Sequence, residues 1–411
     1  MRFLNYLLHS FVITLLTFLV LLLFSLIPLN LEILNPVQDV FSDFDMSDMV
    51  FSKLRDEQNA DDRIVLVNFG DLSRAELGQM IGILNKHEPK VIGIDAFYRK
   101  LKTSSPEEIS GDSLLAANLA QTKNLVLISG LPMDKFNEKK KEYDSLETSN
   151  ALFMKNAKTG FANLITEGSK HEFNTTRTFS PSEKIKGKVE YAFGVKVAQM
   201  YDEKQVQGFL ARANEYEFIN FRGNIGNDTT DPNNSKPKFI VLDWHQVLNS
   251  EFDPKAIKDK IILIGYMGPN LQQIINVDNF YTPLNKNYVG RSTPDMYGIV
   301  VHANIVSMIL TGNYINNLST AGNLMVAFIF TMIMVMLMAF LYKNVGIFFD
   351  GLGLISQVVM AVIFLFFTVY SFDWYLLRIN ISYAILGIFL SGLLVEIYYG
   401  LILKMFSKKQ K

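Results

Sequence analysis

Four apolar runs, each long enough to cross a lipid bilayer, constrain this chain more than any other feature of its sequence. The first run covers roughly residues 7–29 and contains no Asp, Glu, Lys or Arg. The other three follow one another towards the C-terminus, at roughly residues 321–342, 345–372 and 380–404. Because a helix needs about 20 apolar residues to span the hydrocarbon core, the sequence predicts four transmembrane helices.

The first run could alternatively belong to a cleaved signal peptide, in which the apolar region normally has about 7 to 15 residues. Here the run continues through Phe24 to Pro28, and no small-residue pattern of the Ala-x-Ala type marks a cleavage site. We therefore interpret residues 1–30 as a retained N-terminal transmembrane anchor.

Basic residues near the ends of these runs predict the orientation of the chain. Arg2, Lys343 and the lysines of residues 404–411 all lie on one side of a four-pass topology. Since cytoplasmic loops carry more Lys and Arg, both termini are predicted to be cytoplasmic. Residues 31–318 then form one extracytoplasmic domain, and residues 319–411 form a three-helix transmembrane bundle with a short basic tail. The large domain is then expected to lie outside the cytoplasmic membrane.

The composition excludes several classes of function. The chain has no cysteine, which excludes disulfides and thiolate metal sites. Its 39 Lys and Arg against 40 Asp and Glu leave no basic excess for binding nucleic acid. No phosphate loop, dinucleotide fingerprint or His-Glu-x-x-His helix occurs, and the five histidines are scattered. We predict no nucleic-acid partner, no cofactor and no bound metal.

One short motif is typical of an enzyme. Gly111-Asp112-Ser113-Leu114 matches the start of a lipase-like serine hydrolase signature. A polar loop precedes it where the chemistry requires a strand, and no histidine lies three residues after an aspartate. We therefore predict that Ser113 lies near a helix start, and that the chain has no catalytic residue and is not an enzyme.

Short apolar strands alternate with amphipathic helices between the first and second apolar runs. Ser73 and Glu76 form a capping box, in which each side chain bonds a free backbone N–H at a helix start. Residues 133–158 are polar and predicted to form an exposed insertion. This alternation predicts an α/β sandwich around a mostly parallel sheet. Strands are predicted at residues 63–69, 91–94, 125–128, 161–165, 218–221, 239–242 and 261–264, and helices at residues 73–84, 113–120, 189–201 and 299–310.

Polar side chains follow three of these strands. Asp71 comes after the first strand, Asp95 after the second and Tyr266 after the last. Ligands of open α/β sheets collect beyond the carboxyl ends of the strands. We predict that these three side chains border one cleft, with Asp278 near it. The alternatives are a cation site, or purely structural roles in which Asp71 begins a helix and Asp95 caps a turn.

The arrangement of several segments resembles a known sensor domain, the type-two CHASE domain, which is extracytoplasmic and associated with bacterial adenylate cyclases and histidine kinases. The resemblance covers about residues 40–315, and three transmembrane helices after the domain fit the usual layout of the family. The segments that carry it are residues 64–73, Pro89-Lys-Val-Ile-Gly-Ile-Asp-Ala-Phe97, residues 112–116, Gly160-Phe-Ala-Asn163, residues 177–181, Ala192-Phe193, residues 258–265, Asp278, Thr282-Pro283 and Tyr297-Gly-Ile-Val-Val-His-Ala-Asn304.

The sequence departs from the family pattern in two respects. The family usually has an acidic residue at the end of the first strand and a Trp-Pro pair after it; here Asn68-Phe69-Gly70 precedes Asp71 and the pair is missing. Family members usually carry a cytoplasmic cyclase, kinase or phosphatase, whereas this sequence ends seven residues after Lys404. We therefore expect the output to lie in a separate protein.

These observations predict a non-catalytic, membrane-anchored sensor or signal-coupling subunit. Its outer domain would bind an envelope ligand or protein, and its last helices would relay the change to a separate membrane or cytoplasmic signalling protein. The alternative is a structural scaffold subunit of a multiprotein envelope complex. His302 and Asn304, on the helix that leads to the membrane, are predicted to hold structure at that junction.

Two carboxylates lie within the predicted membrane bundle, Asp350 and Glu396. A buried carboxylate costs several kcal/mol in hydrocarbon unless it is protonated or paired. We therefore predict that both side chains contact the bundle interior or a partner helix and serve coupling. For Asp350, the alternative is that it reaches the interface and pairs with Lys343.

Overall fold

The computed structural model describes residues 2–26, 46–165, 175–226, 236–273, 275, 277–285, 293–403 and 405. The chain divides into two compact units, Met1–Val50 with Asn316–Lys411, and Phe51–Ile315. The terminal lysines used to predict the orientation lie outside the described residues.

The described residues form ten main helices and sixteen strands, several of them only two residues long. The helices are α1 (Arg2–Ser25), α2 (Arg74–Lys86), α3 (Pro106–Gln121), α4 (Phe193–Tyr201), α5 (Glu203–Leu210), α6 (Trp244–Leu248), α7 (Gly298–Thr311), α8 (Thr320–Asn344), α9 (Phe349–Tyr375) and α10 (Ser382–Ile397). Shorter helical turns occur at Met46–Met49, Val50–Leu54, Met133–Lys135, Pro254–Ala256, Gly346–Phe348 and Tyr398–Ile402. The strands are β1 (Ile64–Asn68), β2 (Val91–Ile94), β3 (Leu125–Ser129), β4 (Phe136–Asn137), β5 (Glu142–Tyr143), β6 (Ala157–Phe161), β7 (Thr178–Phe179), β8 (Ser182–Ile185), β9 (Lys188–Tyr191), β10 (Glu217–Phe218), β11 (Ile240–Asp243), β12 (Ile261–Gly265), β13 (Asn279–Phe280), β14 (Met296–Tyr297), β15 (Asn316–Asn317) and β16 (Leu377–Arg378).

A six-stranded parallel sheet forms the centre of the unit Phe51–Ile315. Its order is β11-β1-β12-β2-β3-β6, and every neighbouring pair is parallel. Strands β1, β2, β3 and β12 are buried along their whole length, because helices cover both faces of the sheet. Full burial of one such aliphatic side chain contributes about 1.5–3 kcal/mol. The predicted α/β class with a mostly parallel sheet is confirmed.

The helices lie in two layers. One face of the sheet packs against α2, α3 and α6 through a cluster that contains Leu77, Leu115 and Val247. The other face packs against α4 and α7, which approach the strands at glycines. A Cβ at Gly265 would lie 2.5 Å from the Cβ of Ile299 on α7, so only glycine permits this contact.

The helix starts show where local sequence signals succeed and fail. The capping box of α2 is confirmed: Ser73 accepts a hydrogen bond from the N–H of Glu76, and Ser73 N donates 2.8 Å to the Glu76 carboxylate. Helix α3 begins at Pro106 with Ser105 as its cap, so the predicted position of Ser113 near a helix start is wrong. Ser113 lies inside the helix and donates 2.9 Å to the carbonyl of Ile109.

The segment of residues 133–158 is not the simple exposed insertion that its polarity predicts. Strands β4 and β5 within it join β8 and β9 in a second, four-stranded sheet. Tyr143 and Phe153 are buried, with 3% and 1% of their surfaces exposed. Strand β6 also begins earlier than predicted, at Ala157. Pairing with strands that are distant in the chain therefore determines the structure of this segment, in spite of its high content of Lys and Glu.

The other unit contains four helical segments that are long and apolar enough to cross a membrane: Leu4–Phe24, Thr320–Asn344, Gly346–Tyr375 and Ser382–Ile402. This agrees with the four predicted spans. Helices α8 and α10 approach closely at a small residue, because a Cβ at Gly387 would clash with Thr331. The Gln357 amide of α9 donates 2.9 Å to the carbonyl of Phe389 on α10. Small residues and interhelical hydrogen bonds of this kind are typical of membrane bundles.

Candidate functional site

A buried hydrogen-bonding side chain, Asn68, lies at the carboxyl end of β1, in the sheet edge where the sequence predicts a ligand site. Its amide nitrogen donates 3.0 Å to Asp243 Oδ1 and 3.0 Å to the carbonyl of Gly268. Its oxygen accepts from the N–H groups of Met267 at 2.9 Å and Gly70 at 3.1 Å. Asn68 therefore ties together the loops that follow β1 and β12.

Asp243, the last residue of β11, belongs to the same hydrogen-bond network as Asn68. It caps α6 by accepting from the N–H of Trp244 at 3.0 Å, and its second oxygen accepts from Leu271 N at 2.9 Å. Asn68 and Asp243 are 0% and 2% exposed. Neither role is predicted from the sequence, in which the only local signal is a polar residue that ends each apolar strand.

Asp71 and Tyr266 are neighbours at this edge. Asp71 is exposed, whereas Tyr266 is half-buried and its ring lies 5.9 Å from that of Phe69. Burial, and then the charge of Asp71, raise the pKa of the Tyr266 hydroxyl. Tyr297, which directly precedes α7, lies close enough for the charge of Tyr266 to contribute to a raised pKa, although burial is the larger cause.

Asp95 and Asp278 are a pair of neighbouring carboxylates. Asp95 follows β2, and its N–H donates 2.8 Å to the carbonyl of Ile264 on β12. Burial, and then the negative charge of Asp278, raise the pKa of the Asp95 carboxyl to about 7. Asp95 is therefore poised to change charge near neutral pH, unlike an ordinary aspartate.

Asp278 also contacts the first residue of α7. Its carbonyl accepts from Gly298 N at 3.0 Å, and a Cβ at Gly298 would lie 3.3 Å from a carboxylate oxygen of Asp278. The backbone of Asp278 is in the left-handed region, with φ of 58°. A helix N-terminus is stabilised by nearby negative charge, and the Asp278 carboxylate lies beside the first residue of α7.

The structure thus places Asp71, Asp95 and Tyr266 after neighbouring strands β1, β2 and β12, and brings Asp278 to Asp95. That all of them border one ligand cleft stays a prediction. Among the described residues, no group of three or more His, Asp or Glu side chains is arranged to hold a metal ion.

His302 and Asn304 lie on α7 and are buried, with 3% and 0% of their surfaces exposed. The His302 ring meets that of Phe193 edge-on at 5.1 Å, and burial lowers the pKa of His302 to about 4, so the ring is neutral at pH 7. Asn304 Oδ1 accepts from Arg222 N at 2.7 Å and Gly223 N at 3.2 Å. Its nitrogen donates to the carbonyls of Gly223 at 3.1 Å and Val300 at 2.9 Å. These contacts pin the loop at residues 222–223 to α7.

Asp350 and Glu396, the two carboxylates of the predicted bundle, are both exposed. Among the described residues no ion pair joins Asp350 to Lys343, and the role of Asp350 stays a prediction. The Lys343 ammonium instead lies 4.5 Å from the ring centre of Tyr399 and 5.4 Å from that of Tyr6. Glu396 does not face the bundle interior. A contact between Glu396 and a helix of a partner protein stays a prediction.

Comparison with known proteins adds one finding to this geometry. The family model of the CHASE2 domain matches residues 15–341, from within α1 to within α8. Neither the curated proteins nor the solved structures give a significant match.

Proposed function

The chain belongs to the CHASE2 domain family, a family of sensor domains, and from this membership we propose that it is a membrane-anchored extracytoplasmic sensor. In this proposal the unit Phe51–Ile315 lies in the periplasm of a bacterium, and the four apolar helices hold it in the inner membrane. The chain itself is non-catalytic. It binds an envelope ligand or protein and relays the change to a separate signalling protein.

Within the structure, the observation that carries this proposal is the contact between Asp278, the acidic neighbour of Asp95, and the start of α7. Helix α7 is buried from Gly298 to Ile309. A displacement of its first turn therefore shifts residues that are packed against the rest of the unit. The chain then continues in sequence to α8, the first helix of the C-terminal bundle. A ligand that neutralises or separates the two carboxylates therefore acts on an element with a short covalent route to the membrane.

Partner capture from native membranes distinguishes sensing from scaffolding. The tagged full chain is cross-linked in its own membranes, and the partners are identified by mass spectrometry. The sensor proposal predicts a kinase, cyclase or regulator whose cross-linking yield changes in Asp95→Asn. The matched control, Asp134→Asn, changes an exposed carboxylate of the same unit and leaves the yield unchanged.

A stable set of secretion or cell-wall components, recovered equally with wild type and Asp95→Asn, would contradict the sensor proposal. That result would favour a structural scaffold subunit instead.

A further inference from the structure

The last part of the unit Phe51–Ile315 runs from the final turn of α7 to Ile315, and we call residues 310–315 the exit segment. Helix α7 is capped by Gly312, whose φ of 66° is in the left-handed region. Residues 311–313 are exposed. The last carbonyls of a helix lack partners within it, and side chains, water or a tight final turn must satisfy them.

The exit segment is held by hydrogen bonds from other parts of the unit. Three of its carbonyl oxygens accept from side chains that lie between 93 and 247 residues away in the sequence. The unit therefore fixes this segment through tertiary contacts as well as through its local conformation. The donors and acceptors are Arg63 and Leu310 at 3.3 Å, Asn220 and Asn313 at 2.8 Å, and Arg212 and Ile315 at 3.2 Å.

Arg212 holds the end of the exit segment and is itself held by a buried carboxylate. Its Nε donates 2.7 Å to Glu217 Oε1, and one terminal nitrogen donates 3.2 Å to Glu217 Oε2 and 3.2 Å to the carbonyl of Ile315. Glu217 is 2% exposed, and its Oε1 also accepts from the Asn214 amide at 2.9 Å. The guanidinium lies 4.7 Å from the ring centre of Tyr314. These contacts fix the direction in which the guanidinium points.

The ion pair of Arg212 and Glu217 has a directional role. Burying two charges is costly, and apolar side chains of similar volume often stabilise a protein equally well. Apolar side chains cannot, however, donate a hydrogen bond to Ile315. The planar fork of a guanidinium can serve a carboxylate and a carbonyl at the same time.

We propose that Arg212 is the positioning residue of the exit segment. Oriented by Glu217, it fixes Ile315, so that a displacement of α7 passes to the chain that follows and is not lost by fraying of the last turn. This inference rests on the proposed sensor function, in which α7 carries the change towards α8, and it names the contact that keeps the end of the outer unit ordered.

Hydrogen–deuterium exchange of the purified full chain in detergent measures the order of the exit segment, since amides exchange through local opening. The test variant is the double substitution Arg212→Met with Glu217→Leu, which leaves neither charge buried without its partner. Amides of residues 310–315 should exchange about tenfold faster, as expected for the loss of a hydrogen bond from a charged donor. The unfolding midpoint should stay near that of wild type, because apolar side chains replace the ion pair.

Two further variants calibrate this result. Lys204→Gln removes an exposed positive charge from α5 and should leave the exchange of residues 310–315 unchanged. Arg212→Lys retains the charge beside Glu217 but not the planar fork, so it should give an intermediate exchange rate. The amides of α2 show in each variant whether the whole unit has been loosened.

Exchange of residues 310–315 at the rate of the Lys204→Gln control would overturn the proposal. Equally faster exchange in α2 would assign the ion pair a general stabilising role and would contradict a positioning role.

Partner capture gives the second readout. The difference in cross-linking yield between wild type and Asp95→Asn should disappear in the double variant. A difference that persists although the exit segment exchanges fast would also overturn the proposal. If Asp95→Asn has no effect in the wild-type background, the sensor proposal fails, and exchange alone then decides whether Arg212 positions the exit segment.

Discussion

The amide of Asn304 should carry a large share of the stability of the unit Phe51–Ile315, and Asn304→Ala tests this. The substitution removes three hydrogen bonds that join α7 to the loop at residues 222–223, and a fourth, to the carbonyl of Val300, within α7. It leaves the N–H groups of Arg222 and Gly223 without this acceptor in a buried place.

A buried unpaired donor costs about 1–3 kcal/mol, so two of them predict a loss of about 2–6 kcal/mol. Unfolding entropy is about 2.1 cal/mol/K per residue, or about 0.56 kcal/mol/K for the 265 residues from 51 to 315. A loss of about 4 kcal/mol then lowers the unfolding midpoint by about 7 °C. Asn304→Asp keeps an oxygen that can accept from both N–H groups but loses the two donated bonds, and should fall between wild type and Asn304→Ala.

Tryptophan fluorescence of the full chain in mild detergent measures this midpoint. The chain has two tryptophans, and a Trp374→Phe background leaves Trp244 as a reporter within the unit Phe51–Ile315. Asn249→Ala, at an exposed position of the same unit, is the control and should shift stability by less than about 0.5 kcal/mol. A midpoint for Asn304→Ala equal to that of the control would refute the assigned role.

Three further predictions concern charge. Because the pKa of Asp95 in the folded state is raised to about 7, its protonated form stabilises the fold at acidic pH, and this stability is lost as pH rises from about 4 through 7. Asp95→Asn should therefore flatten the fall of the unfolding midpoint with rising pH. The control Asp71→Asn should keep that fall. The lowered pKa of His302 has the opposite effect, so stability is lost as pH falls from about 6.5 towards 4. His302→Ala should lower the unfolding midpoint, because His302 is predicted to have a structural role. An unchanged midpoint together with lost partner capture would indicate that His302 recognises the partner instead. Glu396→Leu should remain inserted but recover less partner on capture, and recovery at the wild-type yield with normal signalling would exclude a coupling role.

Sequence reasoning succeeded where structure depends on neighbours in the chain. The apolar runs of β1 and β12 and the capping box at Ser73 are local signals, and each gave the correct element. The four helices that are long and apolar enough to cross a membrane follow from the length and apolarity of the runs alone. The start of α3 was misplaced because Ser105 caps a helix whose first turns are polar.

The contacts that organise the site were harder to predict, because they join distant positions. Asn68 and Asp243 meet although they are 175 residues apart in the chain, and Ser307 bonds Asp61 over 246 residues. No local pattern encodes such pairs. The strand-end rule placed Asp95 at the correct edge of the sheet, but only the fold brings Asp278 to it.

Reporter fusions after Asn150 and at the C-terminus test the central claim most directly, because a sensor of the envelope must expose the unit Phe51–Ile315 outside the cytoplasm. Alkaline phosphatase is active only outside the cytoplasm, and green fluorescent protein exported by the general secretory route does not fluoresce. The account predicts phosphatase activity without fluorescence after Asn150, and fluorescence without phosphatase activity at the C-terminus. A cytoplasmic signal from the Asn150 fusion would contradict the topology and the sensor proposal with it.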